Sequence, residues 1–108
     1  PEVRLILKRL FEKAGCFVET AENGYEAVRA SEKRYFNAVF LDYSMPEMDG
    51  IAAAKKIRGG RVNPLTPIVI LSGMADFIDP KEEGAADHYL TKPVRLGDIK
   101  SILEALKR

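Results

Sequence analysis

One cysteine, one histidine and no tryptophan stand among the 108 residues, and each scarcity closes off a class of protein. A lone Cys16 permits no internal disulfide, so this is not a disulfide-stapled scaffold. It lies in the apolar run Cys16-Phe17-Val18, which reads as a buried strand carrying a packed thiol rather than a reactive one. His88 has no second His or Cys near it in sequence, and reads as a surface histidine beside a strand rather than a metal ligand. Excess charge is missing too. Seventeen Lys and Arg face sixteen Asp and Glu, a net +1, and the two signs are interspersed. That balance gives no electrostatic basis for binding nucleic acid by this domain itself, or a membrane surface. No apolar stretch is long enough to span a bilayer. Charges break every apolar cluster of the opening PEVRLILKRLFEKAG, which marks an amphipathic helix rather than a signal peptide. A cytoplasmic setting is expected. Finally, no glycine-rich phosphate loop follows a strand, since Gly73-Met74-Ala75-Asp76-Phe77 lacks the pattern, which argues against a nucleotide or flavin binder.

What is present alternates. Apolar residues make up 46% of the chain, enough for the core of one domain of this length. Val3, Ile6, Leu7, Leu10 and Ala14 recur at helical spacing, and Gly15 follows as a stop. CFVET, residues 16–20, reads as a short strand. Asn23 can cap a helix running to about Arg34, with Glu26 in the capping-box position. NAVFLD, residues 37–42, is an apolar run ending in a carboxylate, as expected of a strand covered on both faces. Asp49 can cap the next helix, GIAAAKKIR, which stops at Gly59-Gly60. PIVILS, residues 67–72, is a second apolar run ending in a polar residue. Beyond it, Asp79 as cap, Pro80, Glu82 and Gly84 allow about one helical turn. A short strand from His88 to Leu90 leads to Thr91-Lys92-Pro93. The last helix places Ile99, Ile102, Leu103 and Leu106 on one face, with Lys107 and Arg108 at its negative end. Such alternation predicts an α/β fold, a parallel sheet with helices on both faces. Ligands bind such sheets at the carboxyl ends of the strands, where Asp42, Ser72 and Lys92 fall.

Three segments, VFLDYSMPEMDG, PIVILSG and GAADHYLTKP, resemble in order and spacing the signature segments of response-regulator receiver domains. These domains serve two-component signalling. The resemblance implies a doubly wound, flavodoxin-like sheet of strand order 2-1-3-4-5. It makes Asp42 the phospho-acceptor, a carboxylate nucleophile that forms an acyl phosphate. Ser72 takes the position of the hydroxyl that hydrogen-bonds the phosphoryl oxygens, and Lys92 that of the lysine that ion-pairs with them. The Lys92-Pro93 bond is implied to be cis. Ser44 falls where the backbone carbonyl binds Mg²⁺, Gly73 leaves room beside the acceptor, and Tyr89 matches the aromatic switch. The implied partners are a histidine kinase or histidine phosphotransfer protein and a downstream output protein or domain.

The resemblance also implies an apolar first strand ending in two adjacent acidic residues that help to hold Mg²⁺. Pro1 matches the residues just after that pair, and Glu82-Glu83 follows no such strand. Residues 1–108 are therefore expected to form a receiver domain that lacks its first strand. Mg²⁺ would keep only Asp42, the Ser44 carbonyl and water, a poor ligand set, and phosphorylation would be weak or absent. The gap would leave open sheet edges or force CFVET against NAVFLD, and open edges invite a strand-exchanged or edge-paired homodimer. Residues 74–84 are shorter than is usual in the family, which implies an unusual output surface. Two functions compete: a phosphorylation-dependent switch, and a truncated receiver serving only protein interaction or dimerisation. An enzyme of the aspartate-nucleophile phosphatase type is disfavoured, because Ser44 stands where a second aspartate would be the general acid. The only catalysis expected is self-catalysed phosphoryl transfer and dephosphorylation.

Overall fold

The computed structural model describes residues 2–45, 47–73, 76 and 80–106. Helices α1 (Glu2–Lys13) and α2 (Gly24–Lys33) precede strand β1 (Val39–Asp42) and helix α3 (Gly50–Arg58). Strand β2 (Ile68–Ser72), a 3₁₀ helix (Pro80–Ala85), strand β3 (His88–Thr91) and helix α4 (Leu96–Leu106) complete the order. The starts follow the sequence signals. Asn23 accepts the Glu26 amide at 2.9 Å, and Asp49 accepts the Ala52 amide at 2.8 Å, each side chain capping its helix. Asp98 reaches back to the Arg95 amide at 3.0 Å at the start of α4. The capping residue foreseen at Asp79 and the cationic end at Lys107 and Arg108 lie outside the described residues.

The three strands pair in the order β1-β2-β3, both pairs parallel. The middle strand fixes the two layers. Ile68, Val69 and Ile70 are completely buried, which only a strand covered on both faces can achieve. Burying each such side chain is worth roughly 1.5–3 kcal/mol. Ile68 and Ile70 pack with Leu41, Ile51, Ala53, Ala54 and Ile57 under α3, with Val28 of α2 at the margin. Val69 and Leu71 point the other way, toward Ile102 and Leu103 of α4 and Leu7 of α1. Phe11 of α1 completes this second layer against Phe40 of β1, ring centroids 4.5 Å apart. The doubly wound α/β architecture is thus present.

One expected strand is not. Residues 16–20 pair with no strand, and β1 bonds to β2 alone among the described residues. A strand is held by its neighbour's main chain, and this segment has none beside it. Its links are a Cys16 amide on the Phe11 carbonyl at 3.0 Å and an exposed Arg34–Glu19 pair at 3.6 Å. Phe17 consequently stands in solvent, 108% exposed, and Cys16 is only half-buried rather than sealed in a strand. CFVET has the composition of a strand but not its pairing. It does not close against NAVFLD either.

The amino ends of the strands are locked by a residue that the periodicity does not mark. Asn63, 1% exposed, donates to the Ser31 and Arg34 carbonyls at 2.6 and 2.9 Å. Its Oδ1 accepts the Phe36 amide and the Thr66 hydroxyl, both at 2.8 Å. All four bonding positions of the amide are filled, tying the end of α2 to the α3–β2 connection. Nearby, Arg58 donates to the Thr66 carbonyl at 3.0 Å and to the Asp87 carboxylate, which also accepts the Ile68 amide at 2.8 Å. Burial pushes the Asp87 carboxyl up, but the Ile68 amide and Arg58 together outweigh it, and the group titrates below its ordinary value of 3.8.

Two outcomes are expected. Asn63→Ala leaves buried carbonyls and an amide without partners, each worth roughly 1–3 kcal/mol, so urea unfolding should show a loss of about 2–4 kcal/mol. For Asp87 the folded pKa lies below the unfolded one. Its contribution is therefore present above the unfolded pKa and is lost as pH falls through the folded value. Unfolding midpoints followed from pH 6 to pH 3, about the range in which carboxylates titrate, should fall less steeply for Asp87→Asn than for the parent.

Candidate functional site

Parallel pairing places every strand's carboxyl end on one rim, and the sequence puts a polar residue at each. Asp42 closes β1 opposite Leu71, and Ser72 closes β2 opposite Thr91. Lys92 follows β3, its amide on the Ser72 carbonyl at 2.7 Å and its bond to Pro93 cis. Across the rim, Lys92 Nζ meets Asp42 Oδ2 at 2.7 Å although fifty residues separate them. The pair is about one-third exposed, with 30% of the lysine and 34% of the aspartate side chain open to solvent. Solvent can therefore reach the carboxylate. The second oxygen, Oδ1, accepts the Ser44 amide at 3.2 Å, so both oxygens are already aligned.

The approach of α3 explains how Asp42 is held. The Tyr43 amide extends the ladder to the Leu71 carbonyl at 2.8 Å, while the Tyr43 carbonyl turns to accept the Gly50 amide at 2.9 Å. A Cβ on Gly50 would lie 2.5 Å from the Asp42 carbonyl oxygen, so only glycine lets the first turn of α3 come this close. Between them Glu47 takes a φ of 68°, a left-handed turn that side chains seldom adopt. Ordinary sequence reading passes over Gly50 as a helix start. A glycine directly after a capping aspartate, eight residues past the strand end at Asp42, is the signal that could have found it.

Of the residues singled out by sequence, Asp42 and Lys92 are in contact, and Ser72 shares their rim. Ser44 borders Asp42 through its amide. Tyr89 lies elsewhere: it pairs in register with Ile70 and packs half-buried on the face covered by α3. Gly73 follows Ser72 with only the Asp76 carboxylate near the place of a Cβ, 3.6 Å away, so there is room beside it. His88 is half-buried in β3, and no group of three or more potential metal ligands occurs among the described residues.

The family model for the response regulator receiver domain matches residues 1–104. The chain belongs to the response-regulator receiver family. The transcriptional regulatory protein TcrA of Mycobacterium tuberculosis is 34% identical over 110 residues, covering all of this chain and 43% of TcrA. Protein PilG of Pseudomonas aeruginosa is 30% identical, with 95% of this chain and 78% of PilG aligned. The receiver thus spans under half of the first relative and most of the other. Among solved structures, the receiver domain of sensor histidine kinase PA1611 from P. aeruginosa, with a magnesium ion in its active-site cleft, superposes with TM-score 0.87 at 25% identity, covering all of this chain and 91% of that one. The response regulator protein TrrA of Thermotoga maritima, in complex with Mg(2+)-BeF, gives 0.85 at 28% identity, covering 98% and 90%. Receiver neighbours therefore use Mg²⁺. In the present receiver both Asp42 carboxylate oxygens are engaged and no group of three or more potential metal ligands occurs among the described residues, which does not fit an ion that takes an octahedron of oxygens.

Because Gly50 lets α3 approach β1 at the Asp42 carbonyl, Gly50→Ala should move the Asp42 backbone. Overpacking of this kind costs roughly 1–3 kcal/mol, more than the gain of at most about 1 kcal/mol from alanine's helix preference. Urea unfolding should show the net loss, and the Asp42 and Ser44 amide resonances should shift.

Proposed function

We propose that this receiver is a phosphorylation-dependent signalling switch that takes a phosphoryl group on Asp42 from a histidine kinase or a histidine phosphotransfer protein. The observation that carries the reading is the Lys92 ammonium at 2.7 Å from the Asp42 carboxylate on an open rim. A lone strand-end aspartate would be an ordinary turn former. One that is paired with a lysine from the far end of the sheet, beside a hydroxyl residue, is a prepared oxyanion site.

Phosphoryl transfer asks mainly for position and charge. An Asp42 oxygen gives its lone pair to phosphorus as the bond from phosphorus to the donor nitrogen breaks. The electrons of that bond stay with the donor imidazole. Lys92 remains beside the oxygens and offsets their charge, and the Ser72 hydroxyl can donate to a second oxygen. Charge-assisted hydrogen bonds are worth roughly 1.5–3 kcal/mol each, so two supply roughly 3–6 kcal/mol. Inverting a two-state population from 1:99 to 99:1 takes about 5.5 kcal/mol, so one phosphoryl group is large enough to switch the domain. Tyr89, half-buried on the face covered by α3, takes the part of the aromatic switch in this reading, turning as Ser72 moves. Were Mg²⁺ to bind, Asp42 and the Ser44 carbonyl would hold it, and it would supply further charge neutralisation. The domain's own chemistry is confined to accepting and losing the phosphoryl group, and output passes to a partner protein or domain.

A second reading, an interaction or dimerisation module without phosphorylation, is favoured by the lack of any group of three or more potential metal ligands among the described residues. The edge of β1 away from β2, unpaired among the described residues, is where a second chain would add a strand. Intact-mass spectrometry after incubation with acetyl phosphate, with and without Mg²⁺, separates the two readings. The switch requires a single phosphoryl adduct that Asp42→Asn abolishes. No adduct in a chain folded by circular dichroism leaves the interaction module.

A further inference from the structure

The donor pattern at the end of β2 carries an inference that rests on Asp42 being the acceptor. Along β2 the main chain alternates. The Pro67 and Leu71 carbonyls accept from β1, and the Ile68 and Ser72 carbonyls accept amides of the β3 segment. By this period the Gly73 amide belongs on the β1 side, where the ladder would give it to the Tyr43 carbonyl. That carbonyl is taken by Gly50. The Gly73 amide therefore faces the rim beyond Asp42 as a donor without a strand partner. Its partner is the Asp76 carboxylate, which accepts it at 2.7 Å, while the Asp76 amide returns to the Gly73 carbonyl at 3.1 Å.

The same reach-back, three residues along, occurs between Arg95 and Asp98, where it only starts a helix. At Gly73 it does more, because the amide it occupies follows directly on Ser72, at the rim that would receive an oxyanion. We propose that Asp76 is a positioning residue that acts as an autoinhibitory latch. Its carboxylate fills the Gly73 donor and holds the Ser72-Gly73 turn in its resting form, and the phosphoryl group on Asp42 must displace it. Two effects oppose the displacement: a charge-assisted hydrogen bond is given up, and an anion stands near the incoming phosphoryl oxygens. Phosphorylation then releases the Asp76 carboxylate from the Gly73 amide, and a local exchange of acceptors changes the Ser72-Gly73 turn.

The test compares the parent with Asp76→Ala and Asp76→Asn, each checked for folding by circular dichroism. In ¹⁵N spectra of the resting proteins, the Gly73 amide should lie downfield and exchange slowly in the parent, and lose both properties in Asp76→Ala. With limiting acetyl phosphate, the steady-state adduct on Asp42 should rise about tenfold in Asp76→Ala, the factor for one charge-assisted bond. It should also rise in Asp76→Asn, which keeps an acceptor oxygen but not the charge. A purely structural turn former gives the opposite pattern, with less adduct in the alanine variant and parental behaviour in the asparagine variant. That pattern, or equal adduct in all three, overturns the latch and leaves the switch standing. Adduct in the variants alone supports the latch. Adduct in none of them removes Asp42 as acceptor, and the latch with it.

Discussion

Parallel pairing about β2 is the constraint from which the rest of this receiver follows. A strand bonded to parallel neighbours on both edges must bury both faces, and Ile68, Val69 and Ile70 do so completely. Parallel neighbours also end at one level. Asp42, Ser72 and Lys92 therefore meet without any of them being near another in sequence. The chemistry of the rim is a by-product of how the core is made. Helices on the two faces cover the sheet's apolar sides, and the rim is left for water and ligand.

Within that frame the site is held more by main chain than by side-chain packing. Asp42 is fixed by the Tyr43 amide on the Leu71 carbonyl, by the Ser44 amide on its own carboxylate, and by Gly50 allowing α3 to approach. Lys92 is fixed by its amide on the Ser72 carbonyl. The two charged groups therefore meet with their backbones already positioned, and little side-chain freedom is left to lose on pairing. Being about one-third exposed, the pair is a weak contributor to stability. What it provides is charge at a place that solvent can reach.

Much of this was legible from residue order. Asn23 and Asp49 cap the helices that follow them, and the apolar run ending in Ser72 is a buried central strand, whereas the run ending in Asp42, read as central, is an edge strand among the described residues and is buried only at Leu41. The rim residues could be placed because carboxyl ends of parallel strands are predictable once the strands are. CFVET failed for a physical reason: strand propensity describes a side-chain surface, whereas a strand exists only by pairing, and pairing depends on residues elsewhere. Asn63 and Asp76 escaped notice because each sits in a stretch without periodicity. Their roles arise from main-chain groups that are unpaired for topological reasons, and a side-chain pattern does not record those. Gly50 is similar, since its importance comes from an absent atom.

The Asn63 cluster and the Arg58–Asp87 tie both lie at the amino ends of the strands, opposite the rim. Side-chain hydrogen bonds between elements are thus concentrated at one pole, while the rim is joined by main-chain bonds and the partly exposed Lys92–Asp42 pair. Free energies of local opening should form a gradient along the sheet axis, high at the anchored pole and low at the rim. Such a domain can rearrange its reactive end many times without approaching global unfolding. A change in charge at the rim would act on the part of the sheet that opens most easily.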